Sequence, residues 1–335
     1  PQSQISLRIL TRRDEPCDRE FFRRRIADAW EYRKRLCDPD SCRLIYSESD
    51  FLPGLIVDKF SDILVIQSMS LGIEQWKKDI VEILVDVVKP RGIYERNDVP
   101  VRRLEGMEQT TGLLWGEVPD FVPMTENGIL YMVDVKNGQK TGFFLDQKEN
   151  RHEVMKLCRG ARVLDCFCHN GSFALNAAMG GAEHVTAVDV SETAVEMARR
   201  NAERNGLDGR MDFLAADVFD LLPELEKNGK KPYDFIILDP PAFTKSRRTV
   251  GSAERGYKEI NYRAMKLLPR GGYLATCSCS HFMPSELFTK LLLSAAADAG
   301  VQLKQIEARQ QCRDHPVLLS VPETDYLKFY IFQVV

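Results

Sequence analysis

The sequence predicts an α/β fold, a doubly wound and mainly parallel sheet, preceded by a smaller α+β domain. From residue 150 onward, short apolar runs alternate strictly with amphipathic helical runs, the pattern of repeated βα units. Some of those runs, such as FIIL at 235–238, are apolar at every position, as in strands buried on both faces. Before about residue 128, strands follow strands with few helices between them. The 335 residues suffice for two domains.

Along the chain, residues 1–12 read as one strand (5–10) and a linker. Asp18–Leu36 reads as a helix, because Phe22, Ile26, Ala29 and Trp30 recur at helical spacing. It carries a basic surface of Arg19, Arg23, Arg24, Arg25, Arg33, Lys34 and Arg35, partly offset by Asp28 and Glu31. A solvated face and an RNA contact are both open readings of it. Residues 43–70 read as a β-meander with a turn at Pro53-Gly54. An amphipathic helix at 74–88 stops before Pro90. GIYERN is a further strand, and 129–146 reads as hairpin-like with its tight turn at Asn137-Gly138. Five strands then alternate with helices: ARVLDCF, HVTAVDV, MDFLAAD, DFIILD and GYLATCSCS. Two late strands, VQLKQIEAR and LKFYIFQVV, close the sheet. The domain division read from this is 1–12, 13–128 and 129–335.

Composition excludes several classes. Hydrophobic residues are 44%, charged residues 28%, and the net charge is −3, so any nucleic-acid surface is a local patch. No run approaches the ~18 apolar residues of a membrane span. The first residues lack a signal peptide's charged start and apolar core; without an initiator Met, they read as those of a fragment or a processed chain. Nine cysteines, an odd number, read as reduced thiols of a cytoplasmic protein. Cys166-Phe-Cys168 and Cys277-Ser-Cys279 are CxC pairs, outside the common zinc spacing, so no metal is expected.

In doubly wound sheets ligands bind beyond the C-terminal strand ends. The first such end, Asp165-Cys-Phe167-Cys-His-Asn-Gly171, does not fit G-x-G-x-x-G. Phe167 obstructs one backbone approach to a pyrophosphate, and Asp165 repels it while suiting a cationic ligand. Asp189, ending the second strand, is placed to accept both ribose hydroxyls of an adenosine. Asp217, after the third, is placed to accept from adenine's exocyclic amine. Each is also a plausible capping residue. Together they suit a phosphate-free nucleoside with a positive centre, which describes S-adenosylmethionine. The fourth strand ends in Asp239-Pro240-Pro241-Ala242-Phe243. Two prolines fix an extended exit, aiming Asp239 at the pocket mouth where a planar base can bond and Phe243 can pack. In the fifth, alternation puts Cys277 and Cys279 on one face and Ser278 on the other. A thiolate at Cys279 is placed to attack C6 of a pyrimidine; inert buried strand cysteines are the competing reading.

The motifs GQKTGFFLDQKENR, DCFCHNGSF, AVDVS, AADVF, DFIILDPPAF and CSCS, in this order, resemble the class I S-adenosylmethionine-dependent methyltransferases with their Rossmann-like sheet. More closely, the chain is similar to the bacterial 23S rRNA large-subunit methyltransferase I family, which methylates C5 of cytosine. The resemblance covers nearly the whole chain and includes PGLIVDKF and REFFRRRI. It implies that residues 1–12 are the remnant of an N-terminal PUA domain and that 13–128 is a central domain supporting RNA binding. It implies that Thr141, Phe143 and Asp146 lie near the cofactor, that Asp165, Phe167, Gly171, Asp189, Asp217 and Asp239 line its pocket, and that Cys279 is the nucleophile. The expected partner is 23S rRNA or a large-subunit particle. Pro240, Pro241 and Phe243 would meet the base. Independently of the resemblance, Lys245, Arg247, Arg248, Arg255 and Lys258 follow DPPAF in a polar loop, where RNA phosphate contact and a plain solvated loop are both open readings. One departure stands out: other RNA cytosine-C5 methyltransferases carry a second cysteine after the fourth strand, and DPPAF has none. Rival readings are methylation of guanine or an exocyclic amine without a cysteine, an NAD-dependent oxidoreductase, and a non-catalytic RNA-binding protein.

Overall fold

The computed structural model describes residues 2–229, 231–244 and 247–335. Two compact units form: one from 1–146 with 312–324, the other from 147–311 with 325–335. Residues 129–146, grouped by sequence with the later domain, pack with the first unit.

In the first unit, α1 (Arg19–Leu36) starts at Asp18, whose carboxylate accepts from the Phe21 amide at 3.0 Å and so satisfies a first-turn donor. Its apolar stripe (Phe21, Phe22, Ile26, Ala29) is buried. The strands β1 (Ser41–Tyr46), β2 (Leu55–Phe60), β3 (Ile63–Ser68), β4 (Gly92–Arg96) and β5 (Thr111–Gly116) form one sheet in that order. β3 and β4 are parallel, and the crossover between them carries α2 (Leu71–Gln75) and α3 (Lys77–Val88). A one-turn α4 (Val101–Leu104) follows β4. β6 (Val122–Glu126) and β7 (Ile129–Val133) make a separate hairpin.

Four expectations need correction here. Residues 5–10 form no strand, and Leu7 and Ile9 are exposed; no strand of the described residues lies beside them, and an unpaired strand is not stable. The tight hairpin turn is Asn127-Gly128, not Asn137-Gly138. Asn127 (φ 53°) and Gly128 (φ 79°) both adopt the left-handed conformation a two-residue hairpin needs. At 134–137 the Asp134 carboxylate instead accepts the Lys136 and Asn137 amides and winds the chain out of the ladder. The basic face of α1 is partly neutralised, with Arg19 on Asp79 and Glu82, Arg23 on Asp86, Arg24 on Glu15 and Lys34 on Glu31, but one of its seven cations does not lie on it. Arg33 is completely buried, so it is no surface residue at all.

The second unit opens with α5 (Lys148–Leu157). Then follow β8 (Arg162–Cys166), α6 (Ser172–Met179), β9 (His184–Asp189), α7 (Glu192–Arg204), β10 (Met211–Ala215) and α8 (Val218–Lys227). The rest is β11 (Phe235–Leu238), α9 (Val250–Leu267), β12 (Tyr273–Ser278), α10 (Ser285–Ala299), β13 (Leu303–Arg309) and β14 (Lys328–Val334). The seven strands lie in the order β10-β9-β8-β11-β12-β14-β13. The first five are mutually parallel, and β14 runs antiparallel to both β12 and β13. The chain winds one way from β8 to β10, then resumes on the other side at β11. The crevice therefore opens between the C-terminal ends of β8 and β11. The fourth correction concerns the basic loop: Arg255 and Lys258 sit on α9, because the buried stripe of Ala253, Tyr257, Ile260, Asn261 and Ala264 starts a turn earlier than YKEI.

Candidate active site

Four of the five strand ends named above carry a carboxylate, and each is held differently. Asp165 is fully buried at the end of β8, and its Oδ2 accepts the Ala174 amide in the first turn of α6 at 2.8 Å. A donor that would grip a pyrophosphate at a helix N-terminus is thus already used. Oδ1 of Asp165 has no hydrogen-bond partner among the described residues, an open acceptor inside the protein. Burial pushes the Asp165 carboxyl well above the usual carboxylate range, and the charges of Asp239 and Asp189 push it further. The Ala174 amide and Arg151 oppose this without cancelling it.

Gly171 lies in the turn that joins β8 to α6, with φ +80°. A Cβ there would sit 2.6 Å from Leu175 Cδ1 and 2.8 Å from Ala198 Cβ, so only glycine fits. Phe167 and His169 also have positive φ (66° and 50°), a conformation uncommon for non-glycine residues. Asp189, half-buried, accepts the His169 amide at 2.9 Å and the Ser191 amide at 3.0 Å, which ties that turn to β9. Asp217 is exposed and caps α8 through the Phe219 amide at 2.8 Å.

At β11 and β12 the side chains form a connected group. Cys277, fully buried, donates to Asp239 Oδ1 at 3.0 Å. Gln147 Nε2 donates to the same oxygen at 3.2 Å and to Cys277 Sγ at 3.4 Å. Asn150 donates to Gln147 Oε1 at 2.6 Å, and Arg309 donates to Asn150 at 3.1 Å. Burial, with Asp239 beside it, pushes the Cys277 thiol well up, so it stays protonated and orients the carboxylate. Ser278 points the other way, to the Tyr257 hydroxyl at 3.0 Å. Cys279 is half-exposed, with its sulfur 3.9 Å from the Pro240 carbonyl oxygen.

Pro240 is buried and Pro241 exposed. Phe243 packs among aromatic rings, with centroids 4.6 Å from Tyr257, 5.7 Å from Phe219 and 6.5 Å from Phe167. Arg248 is exposed; Lys245 and the Arg247 side chain lie outside the described residues. Thr141, Phe143 and Asp146 belong to the first unit and are buried there. Thr141 donates to Asp58 at 2.6 Å, Phe143 meets Tyr131 edge-on at 5.1 Å, and the Asp146 carbonyl accepts from the Cys312 amide at 2.9 Å. Gln147, Asn150 and Lys328 were not singled out by sequence. The signal for the first two was their (i, i+3) spacing across a helix start, with Gln147 at the cap of α5; for Lys328 it was a lone cation opening an apolar strand.

Among the described residues, one cluster of potential metal donors occurs, Cys312, Asp314 and His315 in the first unit. Sγ of Cys312 and Nδ1 of His315 each lie 2.7 Å from the same Asp314 oxygen. Two ligands of one tetrahedral ion at about 2.0–2.3 Å stand farther apart than that, so this is a hydrogen-bonded set as it stands.

The comparisons with known proteins agree with the fold. The sequence model of the S-adenosylmethionine-dependent methyltransferase family matches residues 102–328. A putative methyltransferase from Streptococcus mutans shares the fold with a TM-score of 0.85 at 24% identity, covering 97% of this chain and 84% of that one. A tRNA m1G37 methyltransferase of M. jannaschii has a TM-score of 0.58 at 18% identity, covering 84% and 76%. The chain is an S-adenosylmethionine-dependent methyltransferase with the Rossmann-like sheet of that class, and its cofactor is S-adenosylmethionine. The ribosomal RNA large subunit methyltransferases I of Aliivibrio fischeri and Vibrio cholerae are 44% and 43% identical over the whole chain and 86% of their own length. The chain belongs to the ribosomal RNA large subunit methyltransferase I family.

The residues present fit this cofactor. An open buried carboxylate oxygen at Asp165, under the influence of the Asp239 and Asp189 charges, suits its ammonium group. This yields a prediction for Asp165→Asn. The folded state holds a proton on Asp165 that the unfolded chain releases, so this group's contribution falls as pH rises from the ordinary carboxylate range towards the raised value. The ligand-free variant is therefore at least as stable as the parent at pH 7, the gap closing at low pH. Cofactor affinity falls by about tenfold or more, since the bound ammonium, which draws the carboxyl back to its ionised form, meets a neutral amide in the variant. Thermal unfolding across pH and calorimetric titration check the two halves; a less stable variant with unchanged affinity contradicts both.

Proposed function

We propose that this S-adenosylmethionine-dependent rRNA methyltransferase methylates C5 of a cytosine in 23S rRNA, through a covalent bond between Cys279 and C6 of the base. The observation that carries this reading is the pair of cysteines at the end of β12. Cys277 is buried against Asp239, while Cys279, two residues on, is half-exposed beside Pro240 of the DPPAF run. The names of the relatives support ribosomal RNA as substrate.

The reaction divides among the chain's own residues. The target cytosine leaves its stack and enters beside the strand ends. Asp239, aligned by Cys277 and Gln147, holds its polar edge. Pro240, Pro241 and Phe243 shape the entrance, and Lys245, Arg247 and Arg248 meet the RNA backbone. Asp165, Asp189, Asp217 and Asp239, with Phe167 and Gly171, form the cofactor's pocket. The Cys279 thiolate adds to C6, and the C5–C6 electron pair moves onto C5. When bound, the cofactor supplies the electrophilic methyl group that C5 takes up. Loss of the C5 proton to a base re-forms the double bond and expels the thiolate.

The test is to incubate isotopically labelled cofactor with 23S rRNA from cells lacking the enzyme and to map the modified atom. The expected product is a single 5-methylcytosine. Label on guanine or on an exocyclic amine would replace the covalent scheme with direct transfer.

A further inference from the structure

Lys328 is the first residue of β14, and its backbone registers opposite Ser278 of β12. Only 5% of it is exposed. Its ammonium donates to the Ser280 carbonyl at 2.6 Å and to the Tyr326 carbonyl at 2.8 Å. Ser280 follows Cys279 directly, so the charge is fixed against the backbone that carries the thiol. Both acceptors are neutral, and among the described residues Lys328 makes no salt bridge. A buried cation whose hydrogen-bond acceptors are all neutral is costly. The titratable groups acting on it are Asp325, which is half-exposed, and Cys279.

We propose that Lys328 is a positioning residue: its buried ammonium holds the Cys279 turn in place and keeps the thiol ionised for attack. This rests on the reading of Cys279 as the nucleophile. A thiol needs a lowered proton affinity or a nearby base to act at neutral pH, and an adjacent cation is a common means. The relation is reciprocal. Burial lowers Lys328 to about 8, and the Cys279 charge opposes that fall. The ammonium is therefore present at neutral pH, and its influence fades as pH rises through that value.

The test reads the thiol, not methyl transfer. The rate of iodoacetamide alkylation at Cys279 is followed against pH in the full chain, with mass spectrometry separating Cys279 from Cys277 and the other cysteines. In the parent protein the inflection falls below the ~8.5 of a free thiol. Lys328→Met raises it by about one pH unit or more, and Lys328→Arg, which keeps the charge, restores most of the shift. A parent inflection at or above the free-thiol value overturns the proposal without any variant. So does a folded Lys328→Met protein whose inflection is unchanged. Should Lys328→Met fail to fold, the parent curve and Lys328→Arg decide the matter. Failure here leaves the cytosine assignment to its own test, since alkylation proceeds whatever base the enzyme methylates.

Discussion

Cys279→Ala abolishes methyl transfer, by on the order of 10^4-fold or more, while S-adenosylmethionine binds with nearly unchanged affinity. The reasoning starts from the base. C5 of cytosine is a poor nucleophile until something adds to C6, so removing the sulfur removes the step that creates the reactive carbon. Asp165 and Asp189, assigned to the cofactor, are fixed by backbone amides of their own turns. Single-turnover assays with rRNA and calorimetry with cofactor read the two quantities separately. An active Cys279→Ala protein would exclude the covalent route. A variant that loses cofactor binding as well would show that the residue is structural.

Arg33→Met destabilises the first unit by about 3–5 kcal/mol, the usual cost of stranding one member of a buried ion pair. The guanidinium is wholly enclosed and spends its donors on four acceptors. Two go to Asp50, at 2.5 and 2.8 Å. The others go to the Arg43 and Asp314 carbonyls, each at 2.8 Å. Loss of Arg33 leaves the Asp50 carboxylate with the Tyr46 amide as its remaining hydrogen-bond donor, inside an environment that stabilises charge poorly. The double variant Arg33→Met, Asp50→Leu should recover much of the loss, because an apolar pair does not carry the desolvation cost. All three tryptophans (Trp30, Trp76 and Trp115) lie in the first unit, so urea unfolding followed by tryptophan fluorescence reports on this unit. A single variant within 1 kcal/mol of the parent contradicts the account.

Arg33 also marks where sequence reading stops. On a helical wheel it falls on the apolar stripe, four residues after Ala29 and seven after Ile26, away from Arg23 and Arg24, so its position points inward while its charge argues for solvent. Its burial depends on Asp50 and on the Asp314 backbone, which follow far along the chain. The doubly wound unit, by contrast, was legible because each strand is a short apolar run closed by its own turn. The strand-end carboxylates were found for the same reason: topology assigns the end of every parallel strand to one edge. What the sequence could not convey was the state of each group. Asp165 is buried with one oxygen open, whereas Asp217 is exposed and caps a helix. Alternation placed Cys277 and Cys279 on one face, but only side-chain packing shows that the first is locked to Asp239 and the second is accessible. The misplaced hairpin turn has a similar cause. Both Asn-Gly pairs satisfy the local rule, and Asp134 decides between them by capturing the amides that a second strand would need.

The most direct measurement is to trap the reaction. When RNA carrying 5-fluorocytosine at the target position is incubated with enzyme and S-adenosylmethionine, C5 has no proton to lose after methylation, and the sulfur stays bound to C6. The expected result is a stable enzyme–RNA complex that survives denaturing gel electrophoresis, with the nucleotide mapped by mass spectrometry to the Cys279 peptide. No complex forms with Cys279→Ala or without cofactor. Methyl transfer to the unsubstituted RNA with no trapped complex on the fluorinated one, or a complex mapped to another residue, would contradict the account.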